Sequence, residues 1–251
     1  MVVGLEYTTN RADWQRNCTS SGIRVYWVVS EVKQINEPVA TRGSAYQRVH
    51  AWLLARENSR YASIMAPRKR ALFADLEGTI LELGPGGGHN FRFFSPTVHW
   101  IGIEPNSYTH PYLRAQAARE GISAEIRPGR AEEIPAPDGM VDAVIGTLVL
   151  CSVSDPQRVL REILRVLKPG GTFAFIEHVA APEETGMRMV QRMIRPIWKA
   201  IAGGCHPDRE TWHLLERAGF EDLTIDHFKV SVAFIAPHIA GLGTKPRRPS
   251  P

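Results

Sequence analysis

The chain is short of cysteine, of long apolar runs and of any dominant sign of charge, and each shortage removes a class of protein. Its 3 cysteines, Cys18, Cys151 and Cys205, are odd in number and far apart in 251 residues. They make no disulfide framework and fall at no metal-ligand spacing, so no metal is expected and a reducing compartment, the cytoplasm, is the simpler setting. No stretch approaches the roughly 18 uninterrupted apolar residues of a membrane span. The opening from Met1 to Tyr7 lacks the basic and then apolar regions of a secretory signal. Lys and Arg number 30 against 26 Asp and Glu, a net charge of only +4, and the basic residues are scattered. That distribution argues against a nucleic-acid partner. With 43% hydrophobic and 22% charged residues the chain matches the globular average, which excludes disorder and coiled coil for the bulk of it.

Residues 1–45 read as an N-terminal extension whose pattern assigns no order beyond one β-prone run, Ile23 to Val29. Residues 46–245 read as one domain and 246–251 as a flexible tail rich in Pro and Arg. Within the domain, residues 46–75 form a helical cap, with Tyr46, Val49, Trp52 and Leu53 at helical spacing, followed by Tyr61, Ile64 and Met65. An amphipathic helix packed on the core is the expected reading, and a helix that also closes a substrate pocket is the alternative.

After Gly78 short apolar runs alternate with helical segments. Strands are expected at Thr79 to Leu83, His99 to Ile103, Val141 to Val149 and Thr172 to Ile176, the last after the turn Pro169-Gly170-Gly171. Helices are expected at His89 to Phe94, at Tyr112 to Glu120 before Gly121, and at Gln157 to Leu167, opened by Asp155 as N-cap and Pro156. Strands apolar throughout and separated by helices belong to a parallel sheet covered on both faces, a doubly wound α/β fold. A helix from Arg209 to Ala218 and two successive strands, Leu223 to Val230 and Phe234 to Leu242, predict an antiparallel hairpin at one sheet edge.

The chemistry centres on Leu81-Glu82-Leu83-Gly84-Pro85-Gly86-Gly87-Gly88, a glycine loop directly after the first parallel strand. Its spacing is acid-x-G-x-G-x-G rather than the dinucleotide G-x-G-x-x-G. This resembles motif I of the class I S-adenosylmethionine-dependent methyltransferases. The resemblance implies a Rossmann-like, seven-stranded, mostly parallel sheet in the order 3-2-1-4-5-7-6 with an antiparallel last strand, and S-adenosyl-L-methionine as cofactor. It further implies that Glu82, Gly84, Gly86 and Gly88 hold the sulfonium amino acid, that Glu104 accepts both ribose hydroxyls, and that Ala131 and Glu132 read adenine. Thr147 and Leu148 would reach the methionine portion.

A closer resemblance is to the alkyl-thiol S-methyltransferases, the methyltransferase-like seven family, and their microbial relatives. It rests on the segments Tyr61 to Phe73, Thr147 to Val153, Glu177-His178-Val179-Ala180-Ala181, Gly203-Gly204-Cys205, Arg209-Glu210-Thr211-Trp212 and Pro237-His238-Ile239. It implies methyl transfer to a small, lipophilic acceptor with thiol sulfur favoured. An O-, N- or C-methyltransferase of phenols, quinones or amines is the alternative enzyme, and a non-catalytic cofactor-binding subunit the alternative of another class. Animal members of the family begin with an apolar anchor, to which residues 1–45 have no counterpart. Candidates for the acceptor site are His178, Tyr61, Cys205 and His206, with His238 near the last strand a further imidazole, while Cys151 reads as core. Residues 186–206 are a candidate pocket cover. There Val190, Met193, Ile194, Ile197, Trp198 and Ile201 form a stripe broken by Pro196, with Arg188, Arg192, Arg195 and Lys199 off it. A core-facing stripe is the expected reading, and contact of residues 188–201 with an anionic membrane surface the alternative.

Overall fold

The computed structural model describes residues 44–56, 59–231 and 235–247. Residues 1–43 of the extension, with Cys18 and the run Ile23 to Val29, lie outside them, as does the end of the tail. Among the described residues seven strands form one sheet in the order β3-β2-β1-β4-β5-β7-β6. They are β1 (Thr79–Leu83), β2 (His99–Ile103), β3 (Ser123–Arg127), β4 (Val141–Thr147), β5 (Leu167–His178), β6 (Glu221–Lys229) and β7 (Pro237–Thr244). Strand β7 runs antiparallel to both of its neighbours, β5 and β6, and the remaining pairs are parallel. The expected order and edge hairpin are therefore present.

The period of two along the strands divides the core into two layers. Leu81, Leu83, Val144, Phe173 and Phe175 face one way and pack with Val159, Leu160, Ile163 and Val166 of helix α4 (Pro156–Val166). Ile80, Trp100, Ile145 and Ile176 face the other way, against Met65 and Phe73 of α2 (Ser59–Phe73) and Leu113 of α3 (His110–Glu120). Asp155 caps α4 as expected, its Oδ1 accepting the Arg158 N–H at 2.9 Å, and Gly121 ends α3 with φ +68°.

Four expectations need correction. The segment His89 to Phe94 supplies only a 3-10 turn over Phe91–Phe93, because Phe91 and Phe93 are drawn into the core and leave no amphipathic face to extend. Strand β3 was unannounced: at Ser-Ala-Glu-Ile-Arg on the sheet edge it carries only two apolar residues, too few for a periodic signal. The cap divides into α1 (Ser44–Ala55) and α2, and α1 does not bury its stripe, since Val49, Trp52 and Leu53 are exposed. Nor does α5 (Gly186–Ile201) face the core with its apolar residues: Met193 and Ile197 are each 68% exposed, whereas Arg188 and Gln191 are buried. The Arg188 guanidinium turns inward because it donates to the Ala181 carbonyl and pairs with Glu210.

Candidate active site

The ends of β1, β2 and β4 open onto a cavity of about 420 Å³, within the range of small-molecule sites. Its walls include Tyr61, Lys69, Glu82, Gly84, Gly86, Asn90, Glu104, Thr147 and Leu148. Gly84 and Gly86 both adopt φ +55°, the left-handed turn that favours glycine. This turn aims the Gly86 N–H at Glu104 Oε2, 3.2 Å away, while Glu104 Oε1 accepts the Asn106 N–H at 2.9 Å. Glu82 accepts from the Asn90 amide at 2.7 Å and from the Trp100 indole at 2.9 Å. Burial raises both carboxyl groups above their ordinary range, against hydrogen bonds that pull the other way. Each therefore gains from a cation or hydroxyl donor brought into the cavity.

Leu148 takes φ +59°, rare for a leucine, directly after β4. The bend turns three successive N–H groups, of Val149, Leu150 and Cys151, onto the Glu177 carboxylate at 2.8, 2.8 and 3.1 Å. Glu177 thus fixes the loop that forms the acceptor side of the cavity. Opposite it, the Tyr61 hydroxyl donates to His238 Nε2 at 3.0 Å, and His238 Nδ1–H donates to the Ala236 carbonyl. Burial lowers His238 to about 4, so the ring is neutral near pH 7 and accepts the phenol proton.

The candidate residues divide. Tyr61, Glu82, Gly84, Gly86, Glu104, Thr147 and Leu148 line the cavity. Gly88 does not: a Cβ there would meet Phe91 and Leu113, so this glycine serves the packing of the loop on the sheet. Ala131 packs against the core, and Glu132 is occupied by Arg130 and Ser154. Burial opposes its charge, but those hydrogen bonds prevail and hold it at about 2. His206 receives a hydrogen bond from Arg209 at Nδ1. His178 and Cys205 lie behind the cavity wall, with His178 Nε2 and Cys205 Sγ 2.6 Å apart and Trp198 Nε1–H donating to the same sulfur at 3.1 Å. Cys151 is core as expected, yet it stands beside them.

Sequence reasoning offered His238 but missed Asn90, Lys69, Trp100 and Glu177 as parts of this arrangement. Glu177 alone had a signal, a charged residue closing an otherwise apolar strand. The others are single polar residues without diagnostic spacing.

The cavity fits the cofactor that the glycine loop implies. Asn90 Oδ1 is buried without a hydrogen-bond partner, an acceptor suited to the ammonium of a methionine moiety. Glu82 would face the same cationic end, and Glu104 the ribose hydroxyls. When bound, S-adenosylmethionine supplies an electrophilic methyl on a positively charged sulfur.

A general methyltransferase-domain family matches residues 81–175. The chain is 37% identical over 208 residues to human thiol S-methyltransferase TMT1A, covering 77% of this chain and 85% of the relative. Thiol S-methyltransferase TMT1B of Rattus norvegicus matches at 36% with the same coverage. Among solved structures, a SAM-dependent methyltransferase from Aquifex aeolicus superposes with a TM-score of 0.54 at 17% identity, covering 79% of this chain and 98% of that one. The [4+2]-cyclase SpnF gives 0.56 at 22%, covering 74% and 80%. The structural likenesses show the fold alone, whereas the sequence relatives cover most of the chain. The protein is an S-adenosylmethionine-dependent methyltransferase and belongs to the family that holds these thiol S-methyltransferases.

Proposed function

We propose that the protein methylates the sulfur of a small lipophilic thiol. The observation that carries this reading is the identity of 37% spanning 85% of a relative named as a thiol S-methyltransferase. The site's chemistry agrees with it. Methyl transfer from a sulfonium is an in-line displacement, so the chief task is to align nucleophile, methyl carbon and leaving sulfur. A thiol needs little base strength, since with a reference pKa of about 8.5 a few per cent is already thiolate near pH 7. The acceptor side offers Tyr61, Ala62, Leu148 and Val149, largely apolar with one hydroxyl. The Tyr61 hydroxyl, which donates its hydrogen bond to His238, is the polar group of this wall. The products are a thioether and S-adenosylhomocysteine.

Lipophilic acceptors also agree with the surface. Tyr46 of α1 donates to the Ile201 carbonyl at the end of α5 and accepts from the Gly203 N–H, so the exposed apolar side chains of both helices lie near the mouth lined by Leu53 and Gly203. Arg192 and Arg195, ion-paired to Glu183 and Asp208, stand on α5 among them. We place this face on an anionic membrane surface, from which an apolar acceptor would enter. No helix among the described residues is long and apolar enough to cross a membrane. Cys151 and Cys205 are free thiols, which supports work in the reducing cytoplasm.

The test is an acceptor panel with S-adenosylmethionine, read by mass spectrometry. Alkyl thiols should gain one methyl group each while phenols and amines turn over at least tenfold more slowly, a gap of about 1.4 kcal/mol in barrier. Methylation of phenols with no thiol turnover would overturn the reading.

A further inference from the structure

Behind the acceptor wall three separate pieces of chain converge on one point. Cys151 arrives from the loop after β4, His178 from the last position of β5, and Cys205 from the turn after α5. One ligating atom from each lies within 4.8 Å of the other two, and all three residues are buried. We propose that Cys151, His178 and Cys205 form a three-ligand site for a thiophilic divalent ion of the zinc class.

The convergence is built in by the backbone. Cys151 is held by its N–H on Glu177 and by its carbonyl, which accepts the His206 N–H at 2.8 Å. That second bond pins the residue following Cys205 onto the residue that must face it. Gly204 completes the approach: a Cβ there would stand 2.8 Å from the Ser152 carbonyl oxygen, so only glycine lets the two loops close up. His178 Nδ1 is buried without a hydrogen-bond partner, which leaves the thiol cluster as the imidazole's hydrogen-bonding company.

The donor set selects the ion. Two sulfurs and one imidazole are soft ligands, and a Cys and His set of this kind suits zinc over magnesium or calcium. A nitrogen and a sulfur 2.6 Å apart must share something. With a proton they stay together. With zinc at bond lengths of about 2.0 and 2.3 Å and tetrahedral angles they separate to roughly 3.5 Å, a shift of about 1 Å within side-chain reach. The Trp198 indole N–H already donates to Cys205 Sγ, the outer support that a ligating thiolate requires. Charge balances as well. Two thiolates and Glu177 against Arg209, whose guanidinium bonds the Leu150 and Val153 carbonyls nearby, leave two negative charges, which a divalent ion cancels.

Three protein ligands leave one corner of a tetrahedron open, the pattern of catalytic rather than structural zinc. Val149, Ser152 and Gly203 flank the two cysteines and line the cavity, so that corner adjoins the acceptor space. There an acceptor sulfur would bind as thiolate, with its proton passed to solvent. This role of the fourth corner rests on the thiol reading, whereas the ion site itself does not.

The experiment uses the full chain, stripped with chelator and titrated with Co²⁺ as the spectroscopic probe. About one equivalent should bind and give visible bands of tetrahedral cobalt with a near-ultraviolet sulfur-to-cobalt charge-transfer band. Cys151→Ser and Cys205→Ser should each weaken that band and lower Co²⁺ affinity at least tenfold, with far-ultraviolet circular dichroism unchanged. Absence of the charge-transfer band in the wild-type chain would overturn the site and leave a shared proton in its place, whether or not the variants fold. An alkyl thiol should shift the band of the loaded protein. A band that ignores the thiol while thiols are methylated would overturn the acceptor role alone, and a band without any thiol turnover would instead remove the thiol reading.

Discussion

Glu104 joins two backbone amides that otherwise have no reason to meet, the Gly86 N–H of the glycine loop and the Asn106 N–H beyond β2. Glu104→Ala leaves the first of these without its acceptor and removes the group that would take the ribose hydroxyls. The expected loss is about 1–3 kcal/mol of cofactor binding, roughly ten- to hundredfold in Kd by calorimetry. Acidity should act through the same groups. Glu82 and Glu104 have carboxyl pKa values raised by burial, and a cation or hydroxyl donor favours their ionised forms. Lowering the pH through those raised values protonates both, so affinity for S-adenosylmethionine should fall as pH falls and recover as it rises. In Glu82→Gln the dependence should flatten and the affinity at neutral pH should drop. A Kd that stays constant across mildly acidic pH would contradict the assignment of both residues.

Among the elements α1 behaves least like its sequence. Its side chains Val49, Trp52 and Leu53 recur at helical spacing, and amphipathic spacing ordinarily means a face toward the core. Here the helix instead lies across the glycine loop, anchored by the His89 imidazole donating to the Leu54 carbonyl at 2.8 Å and by the Asn106 amide donating to the Gln47 carbonyl at 3.0 Å. A Cβ on Gly87 would collide with that same Leu54 carbonyl. Gly87→Val should therefore push α1 away from the loop, weakening cofactor binding at least tenfold while thermal unfolding shifts by only a few degrees, because the layers around the sheet are untouched. An unchanged Kd would show that α1 is no part of the site. The difference between α1 and α4 explains what sequence could and could not reveal. Pattern records that a face is apolar, and for α4 the nearest apolar surface is the sheet. For α1 and α5 the apolar side chains stay exposed among the described residues, and periodicity names no partner. Every strand but β3, the glycine loop and the acids in β1 and directly after β2 were legible because local spacing fixes them. The grouping of Cys151, His178 and Cys205 was not, because it depends on where three distant segments finish.

At the scale of the whole molecule the described surface is lopsided. On α5 Met189, Met193 and Ile197 are more than half exposed, on α1 Val49 and Leu53 likewise, and the ends of the two helices are tied through Tyr46. Apolar faces of this kind mark interaction sites. Vesicles with anionic lipid should co-sediment with the protein and vesicles of neutral lipid much less so, and Met193→Glu with Ile197→Glu should abolish that association while leaving turnover of a water-soluble thiol unchanged. Equal binding to both vesicle types would reject an electrostatic share, and no binding to either would reject the membrane as the partner of this face.

The position of α1 has a mechanical consequence for the catalytic cycle. The strap over the glycine loop also forms part of the rim through which substrates pass, with Leu53, Leu54 and His50 on the cavity wall. One helix thus borders both the donor site and the acceptor entry, so displacing it would open both together.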